Sequence, residues 1–337
     1  MPTEILKEKN SRQPEPKRIT VFTPAYNRAY IIENLYRSLQ RQRFTDFEWL
    51  VVDDGSTDRT EALFVQWLSE TNPFPIRYIR QENGGKHRAV NRGIAKAMGE
   101  LFMIVDSDDY LADDALTLVD TVEKTIPVSE RSNFAGVCGL RAFFDKTPIG
   151  SSFEGDFLDI TNLEREKHHI FGDKGEVFYT ELLKKYPFPE FPNEKFITEC
   201  IVWDRIGADG FKLRFFNDPL IFCEYRKDGL TCNSQNAFIK SPRGYALYLI
   251  QNRKYQRFNE KQFSESCFDY YCELRHTLSS RTIAEYLGIP YSKLLKIIVR
   301  FHVLRSLYHL YMCLPEPVRN LYRNLREKTG VGFRPVK

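Results

Sequence analysis

The sequence predicts an α/β fold built on a doubly wound, mostly parallel sheet with helices on both faces. In the first third of the chain, short apolar runs alternate with amphipathic segments in the order β-α-β-α-β-α-β. The connecting loops are short, and two of the apolar runs end directly in carboxylates. Such an alternation requires parallel strands, whose carboxyl ends share one edge of the sheet and form a ligand crevice there.

Each element is assigned from its hydrophobic period and its boundary residues. The segment 145–195 is rich in Phe, Pro, Gly and charge and is predicted to be an irregular loop region. Ser56 or Thr57 is the expected cap of the second helix. The predicted strands are 18–23, 47–52, 76–79, 101–105, 134–140 and 213–225, and the predicted helices are 31–39, 57–67, 86–98, 115–122, 198–206 and most of the chain after 235.

The central stretch is residues 101–109, LFMIVDSDD, in which five apolar residues precede a cluster of acids. We expect Asp106 and Asp108 to face the crevice because they follow a buried strand. Close carboxylates favour a hard cation such as Mg²⁺ or Mn²⁺, which usually shares its ligands with substrate phosphates. An alternative is that DSDD is only a polar turn before the next helix, with Asp113 and Asp114 in its first turn.

Two further loops at the same edge carry polar residues. The strand 47–52 ends in Asp53 and Asp54, and the segment QENGGKHRAVNRG places paired glycines before a helix with Lys86 close by. Glycines let a backbone approach a ligand, and a helix N-terminus beside cations favours phosphate. On the later helix 198–206, Glu199 shares a face with Trp203.

Composition restricts the class of protein. The chain has 337 residues, 28% of them charged, and seven scattered cysteines without a CxxC pair, which favours a reducing compartment over a disulfide framework. No secretory signal or membrane-spanning run is evident. The net charge of +4 is uneven, because the residues from Arg281 onward carry 11 Lys and Arg against three acids. A basic tail suits nucleic acid or an anionic membrane, and we expect no nucleic acid. The apolar and basic helix 292–313 suits either a membrane surface or packing on the domain, and both alternatives remain open.

Four motifs, TPAYNRAYII, VVDDGSTDRT, ENGGKHRAVNRGI and IVDSDD, occur in an order and at spacings that resemble the family 2 glycosyltransferases of the GT-A fold. The similarity covers about residues 18–225, and GDKGEVFYTELLKKYPFPEF and KFITECIVWDRI resemble bacterial members that build capsular and other surface polysaccharides. The resemblance implies an inverting enzyme, which moves a sugar from a nucleoside diphosphate, here a UDP-sugar, to an acceptor hydroxyl.

The resemblance also implies roles for individual residues. Asp53 would accept a hydrogen bond from uracil N3, with Asp54 supporting that loop. Asp108 would hold Mn²⁺ or Mg²⁺ on the diphosphate, with Asp106 as a further ligand or a partner of the ribose or donor sugar. The other residues implied in nucleotide or donor binding are Thr23, Pro24, Tyr26, Asn27, Arg28, Gly85, Lys86, Asn91 and Ser107.

Inversion needs a general base for the acceptor hydroxyl. Many family members use the Asp of a Glu-Asp pair six residues before an Arg, whereas this chain has Thr198 and Glu199 before Arg205. Glu199 is therefore the predicted base, although a salt-bridged helix acid is the alternative. Trp203 is a candidate sugar platform, and Asp173 is a candidate contact for donor or acceptor.

The predicted organisation has four parts: a flexible lead-in at 1–17, a nucleotide-sugar half at 18–110, an acceptor half at 111–232, and a basic helical extension at 233–337. Expected partners are a nucleotide-sugar and a glycan or polyprenyl-diphosphate-linked acceptor, with 290–337 touching the inner face of the cell membrane from a cytoplasmic location and no nucleic acid. Two alternatives remain. One is a degenerate transferase that only binds nucleotide or glycan. The other is a sugar-phosphate nucleotidylyltransferase, which needs a glycine-rich basic loop after the first strand, whereas the TPAYNRAY loop has no glycine.

Overall fold

The computed structural model describes residues 15–224, 226, 229, 233–313 and 315–318. Most of the predicted lead-in and the end of the basic extension, 319–337, lie outside the described residues. The chain divides into two compact units, Met1–Gly244 and Tyr245–Lys337. The predicted end of the catalytic domain at 232 lies close to this division.

The first unit is built around one mixed nine-stranded sheet. Strands β1 to β4 are parallel, as predicted from the β-α alternation, in the order β3-β2-β1-β4. The sheet continues with β8, which is antiparallel to both β4 and β6, and then with β9 and β5. The strands are β1 Lys17–Ala25, β2 Phe47–Asp53, β3 Ile76–Arg80, β4 Gly99–Ile104, β5 Tyr110–Leu111, β6 Phe134–Phe143, β7 Leu158–Ile160, β8 Lys174–Tyr179 and β9 Lys212–Cys223.

Helices follow the strands and cover both faces of the sheet, which confirms the predicted fold class. The α-helices are α1 Glu33–Gln40, α2 Thr60–Ser69, α3 Lys86–Lys96, α4 Ala115–Lys124, α5 Thr180–Leu183, α6 Cys200–Ala208, α7 Ser234–Ile239, α8 Pro242–Lys254, α9 Glu260–Leu274, α10 Ser280–Tyr286 and α11 Tyr291–Cys313.

Alternation along the strands divides the core into two layers, because neighbouring side chains of a strand point to opposite faces. On β1, Val21 belongs to the apolar cluster formed with α1, α2 and α4. The adjacent Phe22 packs on the other face, where a Cβ on Gly93 of α3 would lie 2.2 Å from its ring. Since β1 is buried on both sides, its carboxyl end is held rigidly at the sheet edge.

Two local predictions were wrong. The second helix begins at Thr60, so neither Ser56 nor Thr57 is its N-cap residue. The Thr60 amide donates instead to Oδ1 of Asp58 at 2.9 Å. Ser56 and Thr57 belong instead to a loop that is held by Asn27 and Asp53. The segment 145–195, expected to be irregular, contains β7, β8 and α5, and β8 completes the sheet beside β4.

The described residues of the second unit are mainly helical, as predicted. Its longest helix, α11, packs against α9 and α10 and buries Leu294, Ile297 and Phe301. Within the part of the chain that the structure describes, none of the helices combines the length and hydropathy needed to cross a bilayer.

Candidate active site

A cleft of about 380 Å³ opens at the carboxyl ends of the parallel strands. Its walls come from the loops after β1, β2 and β4, from the loop before α3, and from residues near the end of β9. The structure therefore brings four of the loops singled out in the sequence to one site. The predicted site residues that line this cleft are Pro24, Tyr26, Arg28, Asp54, Gly85, Lys86, Asp106, Ser107, Asp108 and Asp173.

The acids after β4 differ in what they contact. Asp106 forms an ion pair with Lys86, with 2.6 Å between Oδ1 and Nζ, and this cation keeps the pKa of the buried Asp106 carboxyl below its usual range against the effect of burial. Asp108 lines the cleft and has no hydrogen bond or ion pair to any described residue. Asp108 is thus the carboxylate of this loop that is available to a ligand.

Glu199 is not among the residues that line the cleft, but it joins the same charged cluster through Lys86. It is the N-cap residue of α6, and its Oε1 lies 3.0 Å from Nζ of Lys86. Its side chain is 38% exposed, so the carboxylate is accessible as well as ion-paired. A negative charge at a helix N-terminus is favoured by the helix dipole. One lysine therefore contacts both the predicted base and an acid of the β4 loop.

Beneath this cluster lies a buried ion pair that the sequence did not single out. Nη1 of Arg141, on β6, is 3.0 Å from Asp109 and 3.9 Å from Asp106. Burial alone lowers the pKa of Arg141, but the two aspartates outweigh it and the net pKa is raised, so the guanidinium stays charged. Its Nε also donates to the carbonyl of Lys174 at 3.1 Å, which ties the β4 loop to β8.

Asp53 is not in the cleft. Its side chain is fully buried, Oδ1 accepts from the Ser56 amide at 2.8 Å, and Oδ2 accepts from the hydroxyl of Tyr78. A contact between Asp53 and a bound uracil is therefore not available in this structure. The side chain that turns to the cleft from this loop is Asp54, because the strand alternation points consecutive residues in opposite directions.

Asp54 is nevertheless occupied by the protein itself. Its two carboxylate oxygens accept hydrogen bonds from the amides of Gly84 and Gly85 at 2.8 and 2.7 Å, and from the side chains of Gln81 and Asn83. This carboxylate shapes the glycine loop before α3, whereas the support predicted for Asp54 concerned its own loop after β2.

Three other predicted residues lie outside the cleft lining and have structural contacts. Thr23 is fully buried and its hydroxyl accepts from the indole of Trp49 at 3.0 Å. Asn27 has φ 54° and its side chain accepts from the Thr57 amide at 2.8 Å. Asn91 binds the backbone of Phe188 in both directions, donating at 2.9 Å and accepting at 2.8 Å. These residues position the cleft loops from behind.

The prediction that Trp203 forms a sugar platform is wrong. Its side chain is only 6% exposed, and its ring stacks on Phe178 with centroids 4.3 Å apart and meets Phe188 edge-on. The helical period correctly placed an apolar face there, but α6 turns that face to the sheet. Glu199 escapes burial because it precedes the first turn of α6.

Several residues at the site were not named as candidates from the sequence, although four of them, Asn83, Asp109, Glu176 and Lys195, lie inside the quoted motifs. Glu176 was the one with a visible signal, a carboxylate inside the apolar strand KGEVFY. Burial raises the pKa of Glu176 even though Arg165 lies 3.4 Å away. Glu176 is not itself among the residues that line the cleft. The cleft-lining residues that were missed are Ala25, Asn83, Asp109, Arg141, Lys195, Cys223, Glu224, Arg226 and Gly229.

The donor set fits a magnesium or manganese ion only in combination with a substrate. Among the described residues, no three His, Cys, Asp or Glu side chains are grouped to hold a metal. Mg²⁺ characteristically takes one or two carboxylates and completes its shell with water and phosphate oxygens. Asp108, which has no described partner, and the neighbouring Asp106 match that requirement.

Fold and cleft together define the class of the protein: an α/β enzyme of the GT-A type with acids and cations at the strand ends. The model for glycosyl transferase family 2 matches residues 20–148. Glycosyltransferase GlyG of Streptococcus pneumoniae is 34% identical over 222 residues, which span 63% of this chain and 72% of GlyG. The chain belongs to glycosyltransferase family 2 and is a glycosyltransferase, as the sequence motifs predicted.

Two further similarities extend over most of the chain. The GalNAc(5)-diNAcBac-PP-undecaprenol beta-1,3-glucosyltransferase of Campylobacter jejuni is 27% identical over 75% of this chain and 80% of its own length. The crystal structure of Staphylococcus aureus TarS 1–349 with UDP-GlcNAc aligns with a TM-score of 0.53 at 18% identity, covering 85% of this chain and 91% of TarS 1–349. The second similarity confirms the fold.

Proposed function

We propose that the protein is an inverting glycosyltransferase that moves a sugar from a UDP-sugar to a hydroxyl of a lipid-linked or glycan acceptor in surface polysaccharide synthesis. The observation that carries this proposal is that Lys86 contacts both Asp106 and Glu199, beside a cleft that Asp106 and Asp108 line. The names of the relatives support the substrate class, because one acts on an undecaprenol diphosphate glycan and a structural neighbour binds UDP-GlcNAc.

Glu199 is proposed as the general base. In a single displacement, the acceptor oxygen forms a bond to the anomeric carbon while the bond from that carbon to the diphosphate oxygen breaks. The acceptor proton passes to the Glu199 carboxylate, and the electron pair of the broken bond leaves with the diphosphate. Glu199 suits this role because its carboxylate is accessible and is ion-paired with Lys86, which also contacts Asp106 of the β4 loop.

The donor is proposed to lie along the loops after β1 and before α3. Tyr26 is 46% exposed at the cleft and offers an aromatic face to a base, while Lys86 and Arg28 supply positive charge for the diphosphate. Asp108, with Asp106, would hold a divalent cation, which neutralises the leaving diphosphate when it is bound. Asp173 lines the same cleft and is proposed to contact donor or acceptor.

The second unit offers a surface for the membrane contact. Leu295, Val299, Val303 and Leu310 are 41–65% exposed and form one stripe along α11. Lys296 and Arg300 are exposed beside it. An apolar stripe next to cations suits the surface of an anionic bilayer, and we propose that α11 brings the enzyme to a lipid-linked acceptor at the inner face of the membrane.

The reaction is tested with a panel of UDP-, GDP- and dTDP-sugars, each incubated with and without Mn²⁺. We expect release of UDP from one UDP-sugar only when the cation is present, and loss of that release in Glu199→Gln when a hydroxyl acceptor is supplied. Binding of UDP without any turnover would favour the alternative of a degenerate, binding-only protein. Incorporation of a sugar 1-phosphate into a nucleotide would identify a nucleotidylyltransferase.

Membrane contact is tested by flotation with vesicles of phosphatidylglycerol or phosphatidylcholine. We expect the wild type to float with the anionic vesicles and Val299→Gln with Val303→Gln to stay behind. Val128, which is 80% exposed in the first unit, gives the matched control Val128→Gln. Equal flotation of all three proteins would refute the proposed surface.

A further inference from the structure

Lys86 is the cation at the centre of the candidate site. Its Nζ lies 2.6 Å from Asp106 and 3.0 Å from Glu199, so one ammonium group joins a donor-side acid to the proposed base. These acids come from separate elements, the loop after β4 and the N-cap of α6. No other ion pair of Glu199 is found within the described part of the chain. The position of the Glu199 carboxylate is therefore tied to Lys86.

The backbone around Lys86 is fixed by close packing. Gly85 has φ +96°, and a Cβ there would lie 2.0 Å from the carbonyl oxygen of Lys195, so the two loops touch through backbone atoms. Lys195 Nζ also donates to Asn83 at 2.6 Å. Lys195 lies four residues before Glu199, and this contact therefore holds the segment that carries the base against the glycine loop.

The charges around Glu199 explain why a cation is needed at this point. Burial raises the pKa of Glu176 of β8, and the negative charge of Glu199 adds to that rise, so the two carboxyl groups repel each other. Arg141 also interacts with Glu199, but it is committed to Asp109 at 3.0 Å. Without Lys86, the Glu199 side chain would be free to turn away from the cleft.

We propose that Lys86 is a positioning residue for the transfer step, which orients the carboxylate of Glu199 toward the acceptor hydroxyl. This role is additional to the predicted placement of Lys86 along the donor phosphates, and it rests on the proposed function of Glu199 as the base. Misplacing a catalytic group by about 1 Å costs roughly a hundredfold in rate. We therefore expect Lys86→Met to lower kcat for transfer about a hundredfold.

The test is a double-mutant cycle in the full chain with Lys86→Met, Glu199→Gln and the combined variant, assayed for transfer in the presence of Mn²⁺. If Lys86 acts through Glu199, the combined variant is no slower than Glu199→Gln alone, and the donor KM of Lys86→Met rises much less than its kcat falls. Lys86→Arg, which retains a cation, restores part of kcat. Lys184→Met, at an exposed lysine paired only with Glu181 among the described residues, is the control for loss of a charge.

Two other results would each overturn one of the proposals. If the losses of the two single variants multiply in the combined variant and the donor KM rises, Lys86 acts on the donor alone and the inference is overturned. If Glu199→Gln keeps full transfer activity, the proposed base is wrong, and this failure is seen without any Lys86 variant. Melting curves with UDP confirm that each variant is folded, and Lys86→Gln replaces Lys86→Met if that variant does not fold.

Discussion

Two strands of this sheet end in the same sequence pattern, but the acids at their ends differ in what they contact. Both β2 and β4 are apolar strands that run into acids, Asp53 and Asp54 in one case and Asp106 and Asp108 in the other. Asp53 and Asp54 are 0% and 4% exposed, and all four of their carboxylate oxygens accept hydrogen bonds from the protein. Asp108 faces the cleft without a described partner.

This difference separates acids that build the cleft from acids that act in it. A carboxylate whose oxygens are satisfied by backbone amides stabilises a loop, and its loss leaves buried donors unpaired. A carboxylate that faces a cleft without partners costs stability to keep and is available to a cation. Substitutions at the two strand ends should therefore affect different quantities, the free energy of unfolding at β2 and turnover at β4.

The largest expected effect is on turnover at the β4 end. We expect Asp108→Ala to lower metal-dependent transfer about a thousandfold, because a cation held on the leaving diphosphate is worth several kcal/mol in the transition state. The free energy of unfolding should change by less than about 0.5 kcal/mol, as for other surface positions. Transfer rates with Mn²⁺ and urea denaturation of the same preparation measure both quantities. Full transfer activity of Asp108→Ala would show that the acids at the end of β4 do not act in turnover, and the proposed contrast with the acids at the end of β2 would be wrong.

A smaller effect, and one on stability, is expected at the β2 end. Asp53→Ala leaves the Ser56 amide and the Tyr78 hydroxyl without their acceptor, and we expect a loss of about 3 kcal/mol in unfolding free energy. Asp53→Asn is the matched control, since it retains one acceptor oxygen and should lose less. Urea denaturation measures the difference. If Asp53→Ala is as stable as the wild type but loses UDP binding, Asp53 contacts the nucleotide after all.

Most of the fold was predictable because its signals are local. An apolar run bounded by glycine or proline indicates a buried strand, and the β-α alternation requires parallel neighbours. The sequence also indicated that β2 and β4 end at the crevice. It did not show which of two adjacent residues faces the ligand, because Asp53 and Asp54 differ only by the direction of one side chain.

The remaining errors concern long-range packing. Trp203 lies on an apolar helical face as expected, but only the tertiary structure shows that Phe178 of β8 covers its ring. The strand β8 lies between β4 and β6 in the sheet, although many residues of the chain separate it from both strands. This pairing brings Glu176 and the carbonyl of Lys174 beneath the site. Arg141 becomes visible as a site residue only once this pairing is known.

His87 is a buried polar group next to Lys86 in the chain. Unlike Asp53 and Asp54 it has no hydrogen-bond partner in the described part of the chain, and unlike Asp108 it does not line the cleft. Its side chain is 2% exposed, and both ring nitrogens lack a hydrogen-bond partner among the described residues. Burial, and then the charge of Arg88, lower the pKa of His87 to about 4. Folding therefore holds the ring neutral, whereas in the unfolded chain it takes up a proton below about pH 6.5.

The lower pKa of His87 in the folded chain fixes how the free energy of unfolding changes with pH. Above about pH 6.5, His87 is neutral in both the folded and the unfolded chain and does not affect the free energy of unfolding. As the pH falls from about 6.5 toward 4, the unfolded chain binds a proton on His87 that the folded chain does not, so the folded protein becomes less stable. We expect the wild type to lose about 2 kcal/mol from this group between pH 7 and pH 5, and His87→Leu to lack that part of the loss. Urea denaturation across this range measures both proteins. Parallel pH curves would mean that folding leaves the pKa of His87 unchanged, so that the ring takes up a proton in the folded chain as well and donates to an acceptor such as Glu190.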